Sequence, residues 1–371
     1  MKFSCDRKNI SEVLSQIQGI TSYRTNIPIT SDILIKAEGT TLFVTANNLE
    51  TVFTGTYESD IESDGIISIN SQKLFEIARE YPDTQIPLNE IENRWVEIGE
   101  GNIQYHIVSS NYENFPETPV IEDISFVEMA SESLKKMVGV SSVIGFVKEE
   151  KRIYVLGALF EKVNEGEGDK LRMVSTDSKR LNCFDADFDG DFEFPEENII
   201  IPKKGLAEIN KFLAPGEKVN VGIKDNHFIV KKENETIMVK LLEGDYPEYK
   251  RVIDTDSMTS FEIDKSMFLM VMRRMSILSS DDYKSILLHF KKDELVVTIT
   301  NPDIGESKEE IFISYSGEEF ESAFNPKYFI DALNAIDEET VVVSVKGKKH
   351  PCIIHGLENS NLVCAIMAMS V

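Results

Sequence analysis

The chain of 371 residues is 42 % hydrophobic and 28 % charged, an ordinary globular composition with length for two to four domains of roughly 100–200 residues each. Its 64 acidic against 39 basic residues leave a net charge of −25, which excludes a uniformly basic nucleic-acid coat and a polybasic membrane binder. Any nucleic-acid contact requires the positive charge to be gathered on one face.

The chain opens on an alternating pair, Phe3 and Cys5, and then sets Ile10, Val13, Leu14 and Ile17 at helical spacing. β-rich runs follow at Ile33-Leu34-Ile35 and Leu42-Phe43-Val44-Thr45, and Ile69 precedes a second helical stretch with Leu74, Ile77 and Tyr81. The same figure returns 124 positions on, as Val127 and Met129, then Leu134, Met137 and Val138. In that copy Ile201 leads into Leu206, Ile209 and Leu213, with a strand predicted over 219–223. A third copy begins 258 positions after the first, as Phe261 and Ile263, then Phe268, Val271, Met272 and Met275. Strands over 286–290 and 295–299 follow, then Phe324 before Phe329, Ala332, Leu333 and Ile336, then a strand over 341–345.

A period near 124 predicts three similar domains, 1–122, 123–255 and 256–371, divided in the polar or proline-containing stretches 116–123 and 254–259. Two helices and seven or eight strands per copy predict an α+β architecture with the helices on one side of antiparallel sheets. Cys5, Cys183, Cys352 and Cys364 lack CxxC spacing, which fits a reducing compartment better than a disulfide framework or a zinc site. Residues 1–8 lack the apolar core of a signal peptide, and no apolar run reaches the ~18 residues of a membrane span. The expectation is a cytoplasmic protein without a membrane partner.

Chemical motifs are few. Asp185-Ala186-Asp187-Phe188-Asp189-Gly190 with Glu196 matches the calcium-loop pattern D-x-[DN]-x-[DN]-G-x5-E. Its flanks read as strands rather than the two helices such a loop needs, so an acidic surface loop is the expectation. His350 and His355 flank Cys352, but alternation in a strand turns the two histidines to opposite faces. Neither a Gly-rich phosphate loop, a GxSxG elbow nor an HExxH motif occurs. No metal, cofactor or catalytic set is nominated.

The basic residues inform by position. Lys8, Lys73 and Arg79 in the first copy lie on or at the start of the repeated helices. So do Lys135, Lys136, Lys203, Lys204 and Lys211 in the second, and Lys265, Arg273, Arg274 and Lys327 in the third. On any one helix this is an ordinary solvated face. Its recurrence in all three copies points to a common basic lining that contacts phosphates without reading bases.

Five segments in order carry a resemblance. Arg24-Thr25-Asn26-Ile27-Pro28-Ile29 is similar to an R-x-x-x-P-I loop, and Ser175-Thr176-Asp177-Ser178-Lys179-Arg180-Leu181 to a T-D-[GS]-H-R-L stretch. Gly244-Asp245-Tyr246-Pro247-Glu248-Tyr249 is similar to a G-x-[FY]-P-[DE]-Y turn. Phe324-Asn325-Pro326-Lys327-Tyr328 and Met367-Ala368-Met369-Ser370-Val371 complete the set. With the repeat, they resemble the bacterial DNA polymerase III β subunit, the sliding-clamp family.

The resemblance implies three DNA-clamp domains forming half of a head-to-tail homodimeric ring around duplex DNA. It implies no catalysis and no cofactor, and as partners the replicative polymerase, the clamp loader and other proteins bearing a clamp-binding motif. By similarity the DNA contacts are Arg24, Lys148, Arg152 and Tyr154, together with Arg79, Lys203, Lys204 and Arg251. The partner-peptide pocket comprises Val155, Thr176, Ser178, Lys179, Arg180, Leu181, Pro247, Val252, Asn325, Tyr328, Pro351, Ala365, Met367 and Met369. Ile277 and Leu278 form the apolar subunit contact, against Tyr105.

Departures from the family pattern are Lys179 in place of a His, Ala368 in place of a Pro, Thr30 and Ser31 after Pro28-Ile29, and Asn102 and Gln104 at positions often basic in the dimer interface. An acidic three-domain scaffold that binds proteins but not DNA is the alternative; retention on nicked circular DNA, lost on linearisation, separates the two. A hydrolase with scattered carboxylates instead requires a closed polar cleft with shifted carboxylate pKa values.

Overall fold

In the first and last thirds each long helix follows a strand whose last residue, or the one just after it, caps it. The computed structural model describes residues 1–22, 26–120, 123–145, 151–164, 168–190, 194–195 and 198–369. The first third runs β1 (Lys2–Asp6), α1 (Arg7–Thr21), β2 (Asp32–Glu38), β3 (Thr41–Asn47) and β4 (Thr51–Glu58). It continues with β5 (Asp60–Ser63), β6 (Gly65–Asn70), α2 (Ser71–Glu80), β7 (Gln85–Glu90), β8 (Trp95–Ile98) and β9 (Tyr105–Val108). The second third runs β10 (Phe126–Ala130), α3 (Ser131–Val143), α4 (Ile153–Leu156), β11 (Gly157–Asn164), β12 (Asp169–Thr176) and β13 (Arg180–Ala186). Then come β14 (Ile199–Pro202), α5 (Lys203–Phe212), β15 (Lys218–Lys224), β16 (His227–Lys231), β17 (Glu235–Lys240) and α6 (Lys250–Ile253). The last third has β18 (Thr259–Asp264), α7 (Lys265–Ser276), β19 (Ile286–Lys291), β20 (Glu294–Asn301) and β21 (Gly305–Phe312). It closes with β22 (Phe320–Phe324), α8 (Pro326–Ala335), β23 (Thr340–Val345), β24 (Cys352–Gly356) and β25 (Leu362–Ile366).

The caps explain why the helices start where they do. Asp6, Asn70, Asp264 and Asn325 accept hydrogen bonds from the backbone N–H groups of Asn9 (2.9 Å), Lys73 (3.0 Å), Met267 (2.7 Å) and Lys327 (3.0 Å). Each bond satisfies an amide that the helix itself leaves unpaired.

Two compact units hold the chain: Met1–Lys135, Phe188–Phe194 and Lys204–Leu241 in one, Lys136–Asp187, Pro195–Lys203 and Leu242–Val371 in the other. The first contains a five-stranded sheet, β5-β1-β7-β8-β9, and an eight-stranded one, β10-β15-β16-β17-β4-β3-β2-β6. The second contains β14-β11-β12-β13-β25-β24-β23-β18 and the four-stranded β21-β20-β19-β22. Every pairing between these strands is antiparallel.

Each eight-stranded sheet crosses from one copy of the repeat into the next. In the first unit β4 pairs with β17, from Thr51 opposite Val239 to Gly55 opposite Glu235. In the second β13 pairs with β25, from Arg180 opposite Ile366 to Phe184 opposite Leu362. Helices back the first of these joints: the Gln16 amide donates to the Phe212 carbonyl at 3.3 Å. A Cβ on Gly19 of α1 would lie 2.2 Å from the Glu208 carboxylate of α5, so a larger residue there would have to displace that carboxylate.

The helices bury the residues that their spacing selects: Ile10, Val13, Leu14, Ile17 and Ile20 in α1, and Phe268, Val271, Met272 and Met275 in α7. Phe329 of α8 packs edge-on against Phe268 and Phe324, both ring centroids 5.6 Å away. All four cysteines are free thiols in the core, and burial pushes Cys5 up to about 12.

Three expectations change. The first third has nine strands rather than seven or eight, because Asp60–Ser63 adds an edge strand to β1. One-turn helices α4 and α6 supplement the expected pair. In the expected acidic surface loop Asp187 and Asp189 are exposed, but Asp185 lies at the end of a strand. Its buried carboxylate takes two bonds of 2.7 Å from Arg172, whose charge it neutralises out of water. Glu196 lies outside the described residues. His350 sits in the turn before β24 and His355 within it.

Phe329→Ala should lower the unfolding free energy of its unit by about 3–5 kcal/mol, the cost of truncating a fully buried aromatic. Urea titration followed by circular dichroism measures it, and a loss under about 1 kcal/mol would contradict the packing described here.

Candidate functional site

Arg180, at the start of β13, organises the second unit's chemistry. Its guanidinium bonds the Asp177 carboxylate (3.1 Å), the Asp331 carboxylate of α8 and the Val143 carbonyl (3.3 Å), and lies 4.5 Å over the Tyr328 ring. A charge held by two carboxylates and an aromatic face fixes all three partners. Burial, and then the nearby Asp177, raise the Tyr328 hydroxyl above the usual tyrosine range.

Residues 177–180 form a tight turn. Asp177 Oδ1 accepts the N–H groups of Lys179 (2.9 Å) and Arg180 (3.0 Å), and Thr176 Oγ1 accepts that of Ser178 (3.0 Å). Ser178 adopts φ +71°, and with Lys179 it projects to the surface. The end of the chain is tied alongside: Met367 N–H donates to the Lys179 carbonyl (2.9 Å) and Met369 N–H to that of Ala323 (2.8 Å).

Between turn, tail and α8 opens a recess of about 510 Å³, lined by Ser178, Lys179, Asp281, Lys284, Asn325, Lys327, Tyr328, Met367, Ala368 and Met369. Six of the residues expected in a peptide pocket therefore share its wall. Thr176 and Arg180 hold that wall from behind. Leu181 and Ala365 lie beneath the surface in an apolar cluster with Leu159, Val174, Cys183, Tyr249 and Ile353. Val252 packs half-buried on this cluster, while Val155 is fully buried, Pro247 exposed and Pro351 half-buried. The sequence pattern did not place Asp281, Lys284, Lys327 or Ala368 here. Lys327 adjoins the Asn325-Pro326 segment and Ala368 lies between the two methionines, so both were within reach; nothing in the sequence points to Asp281 or Lys284.

The residues expected to meet DNA are spread more widely. Arg24 and Lys148 lie outside the described residues. Arg152 is exposed and donates to Ser178 Oγ at 2.9 Å and Tyr154 Oη at 3.4 Å, so it touches the rim of the recess. Tyr154 in turn packs edge-on against Tyr246, ring centroids 6.2 Å apart. Arg79 is exposed on α2 beside Phe75 and Glu80, Lys204 is exposed on α5 and Arg251 on α6.

Lys203 differs from these. It is buried, its amine donates to the Gly145 carbonyl at 3.2 Å, and burial pushes it down to about 8 despite the opposing pull of Asp177. The helices α1, α2, α3, α5, α7 and α8 together carry thirteen Lys and Arg against six Asp and Glu, the reverse of the chain's overall balance.

Of the expected subunit-contact residues, Tyr105, 39 % exposed, lies in edge strand β9, and Ile277, 74 % exposed, lies just past α7. Leu278 is half-buried on the core of the last third. Among the described residues no group of three or more His, Cys, Asp and Glu side chains could hold a metal ion, and no helix is long and apolar enough to cross a membrane.

Models of the DNA polymerase III beta subunit match the chain in order: the N-terminal domain over residues 1–119, the central domain over 128–248 and the C-terminal domain over 250–370. The beta sliding clamp of Haemophilus influenzae is 27 % identical over 372 residues, covering 100 % of both chains. That of Chlamydia pneumoniae is 27 % identical over 354 residues, 95 % of each. The crystal structure of a putative DNA polymerase III beta subunit from Eubacterium rectale matches with TM-score 0.91 at 26 % identity over 100 % of both chains. The sliding clamp from Bacillus subtilis matches with TM-score 0.91 at 25 % identity, over 100 % of this chain and 99 % of that one.

The depressed Lys203 sets a pH test. Between about pH 8 and 10.5 the folded chain has shed this proton while the unfolded chain keeps it, so the group's contribution to stability rises with pH in that window and is flat below it. Relative to Lys203→Met, the wild type should gain about 3 kcal/mol of unfolding free energy from pH 7.5 to 10.5. An unchanged difference between the two proteins would show that the amine is hydrated.

Proposed function

We propose how this protein works from one premise: the chain belongs to the DNA polymerase III beta subunit family, the beta sliding clamps. Domains 1–122, 123–255 and 256–371 form half of a ring, and two copies close head to tail around duplex DNA. The protein catalyses nothing; it tethers the replicative polymerase to its template in the cytoplasm.

One observation carries this reading. At both strand joints within the chain, the third strand of one copy's meander adds to the last strand of the next copy: β4 to β17, then β13 to β25. The remaining third strand is β21 and the remaining last strand is β9, and both are sheet edges. A second molecule supplies the missing partner to each, which closes the set by two-fold symmetry. Phe312, Val108 and Tyr105, 93, 56 and 39 % exposed, are apolar side chains on these edges that such joints bury, and Ile277, 74 % exposed at the end of α7, is assigned to the same contact.

The basic bias of the helices supports their facing DNA, with Arg24, Lys148, Arg152, Tyr154, Arg79, Lys203, Lys204 and Arg251 as the assigned set, Lys203 acting from its buried position. Phosphate contacts of this kind are blind to sequence and weaken with salt. Topological linkage holds the clamp on DNA, so weak contacts permit sliding. The recess by Tyr328 and Met367 takes short apolar segments of the polymerase, the clamp loader and other partners, its methionines adapting to varied side chains.

Sedimentation at two protein concentrations should give the mass of two chains, and Ile277→Glu with Phe312→Glu should give the mass of one. The assembled protein should remain on nicked circular DNA through gel filtration and leave after linearisation; persistence on the linear form would replace encirclement with direct binding. Met367→Ala together with Leu181→Ala should weaken peptide binding at least about tenfold, through loss of apolar contact and of the floor beneath it, and leave the dimer intact.

A further inference from the structure

We propose that His106 is the cation at the joint between two copies, set opposite Glu306 of the partner subunit, so that the ring closes more tightly as pH falls. The proposal rests on the two-copy ring assigned above and adds the register of its joint and what regulates it.

The register follows from the two joints inside the chain. Before the third strand of each meander one side chain caps the turn: Asn47, Thr176 and Asn301 accept the N–H groups of Leu49 (2.8 Å), Ser178 (3.0 Å) and Asp303 (3.1 Å). Four residues on come Thr51, Arg180 and Gly305. Just past each last strand an isolated bridge reaches the residue three before a helix: Leu242 to Ile200, Met369 to Ala323 and Ser110 to Ser68. Three residues before those bridges lie Val239, Ile366 and Ile107. Thr51 pairs with Val239 and Arg180 with Ile366. The same spacing sets Gly305 opposite Ile107, Glu306 opposite His106 and Ser307 opposite Tyr105.

Side-chain alternation leads to the same pairs. Val96 and Ile98, paired with Ile107 and Tyr105, are buried, so Glu97 and its partner His106 turn to the outer face. In β21 Ser307 and Glu309 are half-buried between exposed Glu306, Lys308 and Glu310. The derived register joins outward residues to outward ones, and a shift of one residue would set them against inward ones. It also lays Ile304 on Val108, each 56 % exposed.

His106 Nε2 lies 3.2 Å from the Glu97 carboxylate of β8. From α2, Lys73, Glu76 and Glu80 border the strand at a hollow shared with Tyr105, His106 and Ile107, where Lys73 is bound to Glu76 and Arg79 to Glu80. On β21 Lys308 binds Glu310 and Glu309 is held by Arg274, while uncharged Thr300 of β20 sits opposite Glu306. Asn102 and Gln104, on the same face as His106, carry no charge. An imidazole gains its proton as pH falls from about 8 to 5. Protonated, it stands between Glu97 and Glu306 as their shared cation; neutral, it leaves two carboxylates facing one another across the joint.

Dissociation is measured by fluorescence-detected sedimentation of protein labelled at Lys292→Cys, on the exposed β19–β20 turn, diluted at about pH 6 and about pH 8 at one ionic strength. The Kd should be roughly four- to twenty-five-fold lower at the acid pH, the square of the two- to fivefold that an exposed ion pair gives at each of two joints. His106→Gln should flatten this response. Glu306→Gln should flatten it as well, which separates the contact across the joint from the bond to Glu97. His289→Gln, whose imidazole bonds Glu319 two strands in from the edge, should keep it. An equal Kd at both pH values in the wild type, or a full response in either His106→Gln or Glu306→Gln, overturns the proposal and leaves the ring standing. A wild type that stays monomeric at both pH values overturns the ring itself.

Discussion

Backbone amides and carbonyls at the edge of a sheet need partners, and that need governs how the repeated copies join. The meander strand β4 or β13 offers a full edge, and the last strand of the following copy completes it. Each junction is an antiparallel ladder of five residue pairs rather than a patch of side chains. Such a ladder fixes register and direction together. The helices on the same elements are therefore placed by backbone bonds formed far from them in sequence.

The repeat is legible in the sequence because its hydrophobic spacing survives in every copy, from Phe3 and Leu14 to Phe261 and Met272. The helix starts are legible too, since Asp6, Asn70, Asp264 and Asn325 are the side chains that cap well. Partner choice between strands is not. Alternation in β4 says that one face is buried, but not that its neighbour lies 178 residues away, as Glu235 does from Tyr57. Nor does composition separate Asp185, buried on Arg172, from the chain's many solvated acids.

The recess was legible through motifs and only partly through physics. Leu181 and Ala365 follow strand alternation into the core, so a residue-by-residue transfer could name them without revealing the buried cluster they join. Lys203 illustrates the opposite limit. A lysine at a helix start reads as a solvated charge, and only the fold around Gly145 encloses it. Arg180 matters more than its motif suggests, because one guanidinium aligns the turn, α8 and Tyr328 at once. Arg152 reaches Ser178 on that turn, so side chains assigned to DNA and to peptides share a single scaffold.

The four core thiols have a practical corollary. A thiol reacts as its thiolate; enclosure shields all four sulfurs and disfavours that form at Cys5, Cys352 and Cys364. Maleimide dyes should therefore ignore the native cysteines and mark only one introduced at a chosen surface position. The wild-type background already suits single-site labelling, and fluorophores placed beside β9 and β21 would report on those exposed edges without prior removal of any natural sulfur.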